Sequence, residues 1–528
     1  MNFLERYPSS AEGFDFRAER NPAILLYGRR FYKDQTPLEY LVEFLMAFSS
    51  PKDLSGNAEL QFKIIPNENE RYGYYPKEHI ILKLFSFFAD SKLDTRHHIH
   101  RQTYLYAMHR CKESIDAPEE ERDETLKLLQ NLMSGFAGIS KDRTWVTFTF
   151  YPAAKSLISK EVTWQHPKAL KESKGEIHDW HSSLRYFDYN TRNFMGRGGE
   201  LLFLQLANLF EHKDDSDIGS LINKNHYEHL QRNSLAELQD KLENNLSGIL
   251  NNSVTQLENI ASFLENSLHE LVPEDEGKSF SAFAWVPRAT KKEALLFATE
   301  MNNICSSSMG PLEKIDFINK LATIHVMRSL CFQAQRANED QNHTAGFEGN
   351  YVWIASDHKA PANNPARRLS VESYNKIETL LYRALRSPYI TPNGTQFSKK
   401  EYENADDNCF RHFRKFGKEL GIVIPKTGPS QRFALNPELI RFLITALLTP
   451  GEYLRLTDFY NRVFAHYGIA LGGEPLATAL SWLGGGISDK TYGVDINTDW
   501  VEEALQQGGY LIELSDAVSI VHNPGREA

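Results

Sequence analysis

Four basic residues, Arg411, Arg414, Lys415 and Lys418, recur at i, i+3, i+4 and i+7 in the 528-residue chain. At about 100° per residue they share one side of a helix over 404–420, while Phe410, Phe413, Phe416 and Leu420 share the other. An apolar face seated on neighbouring helices, with a cationic stripe turned outward, suits a helix that neutralises phosphates, and one such arginine can reach a guanine edge. These four residues are the candidate DNA-binding site. The same pattern also serves as a solvated helix face, with basic groups well placed near a helix C-terminus.

The other chemistry-bearing residues are less well arranged. His97, His98, His100, His109 and Cys111, set among Arg96, Arg101 and Arg110, lack the i, i+4 histidine pair with a converging third ligand that zinc requires. A basic helix surface is the simpler reading. His178-Asp179-Trp180-His181, near Tyr186 and Phe187, reads as a packed aromatic turn rather than a metal or base site. Gly196-Arg197-Gly198-Gly199-Glu200 opens a helix whose amides could hold an anion. No Gly-Lys-Ser/Thr follows, so the glycines are expected to make a tight turn. Glu274, Glu276 and Lys278 contain the E-x-K of metal-dependent nucleases, in which carboxylates hold the metal and lysine steadies the attacking water. Here they fall in a polar loop with no strand partner. With no nucleophile elbow and no credible Cys/His pair, the sequence points to no catalytic residue, no metal site and no cofactor, and away from an enzyme.

The stripe helix belongs to an order of elements that occurs twice. A helix over 370–386 precedes it. A strand at 421–425, the turn Thr427-Gly428-Pro429-Ser430 and a strand at 432–435 follow, and a helix over 437–448 closes the segment. Further on, Thr457 is expected to cap a helix to 467, with helices over 474–483 and 498–507 and a hairpin over 510–521. Both read as winged-helix-like units, relatives of the helix-turn-helix. The last helix of the second unit carries Asp499, Glu502 and Glu503, which repel phosphate, so that unit is expected to pack on protein.

Upstream, Ala23–Tyr27 reads as a strand. Thr36-Pro37-Leu38-Glu39 reads as a capped helix start, with Leu38, Leu41, Val42 and Leu45 at helical spacing. A helix is expected over 80–112, an acidic break at 116–123 and a strand over Trp145–Tyr151. An apolar helix starts at Glu200. The amphipathic stretch 233–271 is either a helical hairpin or one long helix interrupted near Gly248, and more helices span 291–336. Residues 357–368, rich in Pro, Ala and Asn, read as a linker. The expected fold is mainly α with minor β and multi-domain. It has an N-terminal α+β domain (1–210), a helical domain (211–356), a linker (357–369) and winged-helix-like units at 370–449 and 450–528.

Composition limits the partners. The chain holds 59 Lys and Arg against 69 Asp and Glu, a net charge of -10, so any nucleic-acid contact must come from a local patch. A composition of 41% hydrophobic and 24% charged residues argues for a buried core and against wholesale disorder. The four cysteines are isolated, which argues against a disulfide framework and suits a reducing cytosol. No apolar run reaches the ~20 residues of a membrane span, and the first residues lack a signal-type apolar core. The expected location is cytoplasmic, without a membrane partner.

Three stretches together, Gly28–Phe48, Arg192–Phe210 and Leu454–Gly473, resemble the G subunit of bacterial DNA-phosphorothioation-dependent restriction systems. They are also similar to its sister in methylation-associated phage-defence systems. The resemblance implies an accessory subunit acting beside ATPase partners, at least one of them HerA-like, against DNA that lacks the host's modification. It carries no active-site residue onto this chain. The expectation is a non-enzymatic adaptor that binds DNA or bridges ATPase and nuclease subunits. The alternatives are a metal-dependent nuclease using Glu274 or Glu276 with Lys278, and a DNA-independent scaffold.

Overall fold

The computed structural model describes residues 5–8, 21–28, 35–66, 72–75, 80–82, 98–134, 152–158, 160–164, 187–189, 198–211, 218–222, 226–252, 255–267, 280–281, 284–338, 346–390, 396–484, 497–515 and 518–525, with a few isolated positions besides. It is mainly helical with small sheets. The chain divides into two compact units. Unit 1 comprises 1–37, 200–247 and 283–528, and unit 2 comprises 38–199 and 248–282.

In unit 1 the first elements are β1 (Arg6–Tyr7), α1 (Pro22–Tyr27), α2 (Gly198–Phe210, of this unit from Glu200 on) and α3 (Leu235–Leu250). Next come β2 (Val286–Pro287), α4 (Lys291–Ser306), α5 (Pro311–Arg336), β3 (Trp353–Ile354) and β4 (Ser356–Asp357). Residues 23–27, expected as a strand, are helical. The Asn21 side chain accepts from the Ala23 amide at 2.9 Å and Pro22 occupies the first helical turn, so cap and ring together override the apolar run. Within the amphipathic stretch 233–271 the described residues form two helices, α3 ending at Leu250 and another spanning Thr255–Ser267.

Helix α5 is the axis of unit 1. Pro311 sits at its start, and every residue from Leu321 to Ala334 is buried, so it is enclosed on all sides. Helices α1 and α4 pack on it, as do three that follow: α6 (Pro365–Ala384), α7 (Lys399–Leu420) and, after β5 (Val423–Ile424) and β6 (Arg432–Leu435), α8 (Pro437–Leu447). Strands β5 and β6 form the expected antiparallel hairpin after α7. A capping box starts α7: the Ser398 hydroxyl accepts from the Glu401 amide, and the Glu401 carboxylate accepts from the Ser398 amide at 2.6 Å. Gly421, in the left-handed region, ends it. Trp353 anchors the apolar face of α7, with its ring 6.0 Å from Phe413 and 5.2 Å from Phe433.

The remaining elements are β7 (Tyr453–Arg455), α9 (Leu456–Tyr467), β8 (Ile469–Ala470), α10 (Gly473–Leu483), α11 (Asp499–Gln507), β9 (Leu511–Ser515) and β10 (Val518–His522). β9 and β10 are the expected hairpin, and β7 adds to β10 as a third strand. Arg455, not Thr457, holds the N-cap position of α9, which places Thr457 inside the first turn.

The segment 357–369, expected as a linker, runs within unit 1. Its first residue ends β4, which pairs in parallel with β6, and β3 likewise pairs in parallel with β8. The Asn and Pro that suggested a linker are the cap and first residue of α6: the Asn364 side chain accepts from the Arg367 amide at 3.2 Å, and Pro365 follows.

In unit 2 the helix Pro37–Ser49 is buried from Leu38 to Ser49. Buried Lys52 closes its end by donating to the carbonyls of Phe48 and Ser50 at 2.9 and 2.6 Å. Ile80–Leu82, Lys160–Trp164 and Phe187–Tyr189 form a three-stranded sheet. Gly198 and Gly199 permit a close crossing. A Cβ at Gly198 would meet the Tyr40 ring at 1.5 Å, and one at Gly199 would meet the Tyr40 carbonyl oxygen at 2.4 Å. The Gly199 amide donates to the Glu43 carboxylate at 3.1 Å, so a protein carboxylate already holds this helix start. Trp145–Tyr151 lies outside the described residues.

Gly417 makes the comparable approach in unit 1, where a Cβ would meet Val423 Cγ2 at 2.4 Å and Met327 Cε at 3.0 Å. Gly417→Val should destabilise the protein by about 2 kcal/mol through overpacking, read as a lowered denaturation midpoint. Ser398→Ala should cost about 1 kcal/mol through loss of the cap alone.

Candidate functional site

Helix α7 follows the predicted spacing in part: of the four expected apolar residues, Phe410 and Leu420 are only half-buried. Phe413 and Phe416 are fully buried, joined by Cys409, His412 and Gly417. Arg411 and Arg414 point outward, their side chains 58% and 47% exposed, and Lys415 and Lys418 are half-buried. The stripe has acidic company. Arg411 Nε lies 2.8 Å from Asp407 Oδ1 and Arg414 Nε 2.6 Å from Glu378 Oε1. Lys415 Nζ lies 4.0 Å from Glu419 Oε1 and donates to the Gln35 carbonyl at 2.9 Å. Half-exposed pairs of this kind are partly screened and contribute on the order of 1 kcal/mol, so phosphates can exchange for the carboxylates at modest cost. On α11, Asp499 and Glu503 are exposed and Glu502 half-buried, an acidic surface.

Of the histidine-rich stretch, His98 and His100 lie on the helix His98–Glu113, and exposed His109 pairs with Glu113 at 3.3 Å. Burial pushes the Cys111 thiol up to about 12. His97, residues 178–181, Gly196, Arg197 and residues 274–278 lie outside the described residues. Among the described residues no group of three or more His, Cys, Asp or Glu is placed to hold a metal ion.

Among the described residues the densest polar arrangement is one that the sequence alone did not disclose. In the middle of unit 1, Arg328 of α5 and Glu300 of α4 are both fully buried and joined by two hydrogen bonds, Nη1–Oε1 at 2.7 Å and Nη2–Oε2 at 2.9 Å. Nη1 also donates to the main-chain carbonyl of His466 at 3.0 Å, and Nη2 to His325 Nδ1 at 2.9 Å. Burial alone would lower the guanidinium, but the Glu300 charge outweighs it and holds Arg328 above its ordinary value.

The geometry fixes the tautomers. His325 Nδ1 faces only the donors of Arg328, so it accepts, and Nε2–H donates to Gln205 Oε1 at 2.7 Å. Phe297 stacks flat on the His325 ring at 4.1 Å. His466 Nδ1 lies 2.8 Å from Glu300 Oε1 and therefore donates. Its Nε2 meets His229 Nε2 at 2.7 Å, so His229 supplies the hydrogen of that contact. Burial, and then the Arg328 charge, hold His325 well below the usual imidazole range. Burial also lowers His466, against the opposing Glu300 hydrogen bond, and lowers His229, where the His466 ring adds to the effect.

His229 stands on a short 3-10 turn, Glu228–Arg232, held in place by Tyr227, whose hydroxyl donates to the Ala465 carbonyl at 2.7 Å. It forms part of the wall of a cleft of about 320 Å³ shared with Arg232, Asp458, Asn461 and Arg462. Glu452 accepts from Arg462 at 2.9 Å and from Arg232 at 3.2 Å. Burial raises the Glu452 carboxyl, but Arg462 and the Thr449 amide outweigh it and hold it below the ordinary range. The chain Glu300–His466–His229 orients the His229 imidazole at the wall of the cleft. Among the described residues no serine, threonine or cysteine lines that cleft. The chain matches no protein-family model, no curated protein and no solved structure.

Each of the three imidazoles is depressed in the fold relative to an unfolded value near 6.5. Below that pH the unfolded chain takes up protons that the fold refuses, so stability is full above about pH 6.5 and falls as the pH drops, by up to about 1.4 kcal/mol per unit for each histidine. Thermal melts from about pH 8 to pH 5 should show this fall, and His325→Gln should reduce its slope by about a third. Arg328→Met, which strands Glu300, should cost about 3–5 kcal/mol.

Proposed function

We propose that this chain is an accessory subunit of a bacterial antiviral restriction complex, holding DNA and bridging it to ATPase partners, one of them HerA-like, and to a nuclease. The observation that carries the reading is the outward stand of Arg411 and Arg414, beside the β5–β6 hairpin, on a helix whose opposite face is locked by Trp353, Phe413 and Phe416. A basic helix next to a hairpin is the arrangement by which a winged-helix unit meets a duplex. The resembling stretches add support. Leu454–Gly473 supplies α9 with His466 and Arg462, and Arg192–Phe210 supplies α2 with Gln205, so two of them contribute to the buried network or its cleft.

A second reading, a scaffold that docks protein without touching DNA, is favoured by the acidic partners of Arg411, Arg414 and Lys415. One experiment separates the two. The triple substitution Arg411→Glu, Arg414→Glu and Lys415→Glu should weaken duplex binding and reduce the slope of log affinity against log salt by about 2–3. Duplex affinity that is measurable and unchanged in the triple variant would sink the role given to the stripe. Capture of a HerA-like ATPase by a protein with no DNA affinity would establish the scaffold instead.

A further inference from the structure

An open cavity of about 390 Å³, with Asn375, Thr379 and Arg383 exposed on its wall, lies in unit 1 among the end of α5, one side of α6 and the end of α10. Lys376, Thr379 and Arg383 stand at i, i+3 and i+7 on α6, so one face of that helix delivers two cations and a hydroxyl to the same wall. Lys376 is pinned there. It donates to the main-chain carbonyl of Trp482, and its ammonium lies 4.3 Å from the centre of the Trp482 ring. Among the described residues neither Lys376 nor Arg383 forms an ion pair, and no carboxylate lines the cavity. Three other cations of the same unit are paired, Arg386 with Asp406, Arg414 with Glu378 and Arg336 with Glu293, whereas Arg367 at the start of α6 donates to the Ala360 carbonyl. Burial, and then the Arg383 charge, hold Lys376 below its ordinary value. An anion between the two would relieve both effects.

The remaining lining is amide. Asn338 spends its amide hydrogens on the carbonyls of Ala334 and Leu380, at 2.6 and 3.4 Å, which leaves its oxygen as an acceptor. Gln335 and Asn375 complete the wall. The space is far larger than a bare phosphate fills and falls in the range of small-ligand sites.

We propose that this cavity binds a nucleoside phosphate, free or at the end of a nucleic-acid strand, with the phosphate between Lys376 and Arg383 and the base edge on the amides. The site shares no residue with the Arg411–Lys418 stripe, so it stands or falls separately from the duplex-binding proposal.

Calorimetric titration of the full chain tests it, using the four deoxynucleoside 5′-monophosphates, inorganic phosphate and a short 5′-phosphorylated single-stranded oligonucleotide. At least one monophosphate or the oligonucleotide should bind, inorganic phosphate should bind at least roughly tenfold more weakly, and Arg383→Gln should weaken the bound probe by roughly tenfold. Lys376→Met, which keeps the stem on Trp482, should do the same, and melting curves check that both variants fold. Binding of monophosphates assigns a free nucleotide, and binding of the oligonucleotide alone assigns a strand end. The proposal is overturned if no probe binds at about 1 mM, if phosphate binds as tightly as the nucleotides, or if neither substitution changes affinity.

Discussion

The bidentate pair of Arg328 and Glu300 stands where a helical protein would ordinarily place leucine, and the surrounding packing has to satisfy it. Two fully buried charges are tolerable only when every remaining donor and acceptor finds a partner. Arg328 therefore reaches a main-chain carbonyl on α9 and an imidazole on its own helix, while Glu300 takes a further hydrogen bond from His466. Apolar contacts among α4, α5 and α9 would tolerate a small slide of one helix along another, at a modest packing cost. Hydrogen bonds of 2.7 to 3.0 Å to buried charges would not, because a displaced partner leaves an ion without water or counter-charge. The pair thus sets the register in which the three helices meet. The His466–His229 contact extends that constraint to the short turn at the cleft.

How much of this was legible in the sequence depended on the range of the interaction. Periodicity and punctuation are local, so the stripe helix, its apolar face, the hairpin after it and the second hairpin could all be read from neighbours within a few residues. The same locality explains the misreadings. Ala23–Tyr27 is apolar enough for a strand, and only Asn21 and Pro22 just before it mark a helix start. Residues 357–369 have the composition of a linker because cap and first-turn residues are drawn from the same types. The buried network was invisible for the opposite reason. Arg328 meets Glu300 from 28 residues away, and His229 meets His466 across 237. No spacing rule says which charges inside apolar helices will face each other. The trace that was available is the occurrence of Glu300, His325 and Arg328 within otherwise apolar helical stretches. For the stripe, the face was readable but Glu378, 36 residues upstream of Arg414, was not.

Residues 353–357 have a consequence of a different kind. This short stretch lends one strand to β8, in the final part of the chain, and another to β6, in the hairpin beside the stripe. Main-chain hydrogen bonds at both places, Trp353 to Gly468 at 2.8 Å and His358 to Leu435 at 3.2 Å, clasp segments that are far apart in the sequence. Neither helix–hairpin segment can swing alone without tearing this clasp. Force applied to one of them would be felt by the other as the pull of a single lever, and any flexing must be taken up elsewhere in the chain.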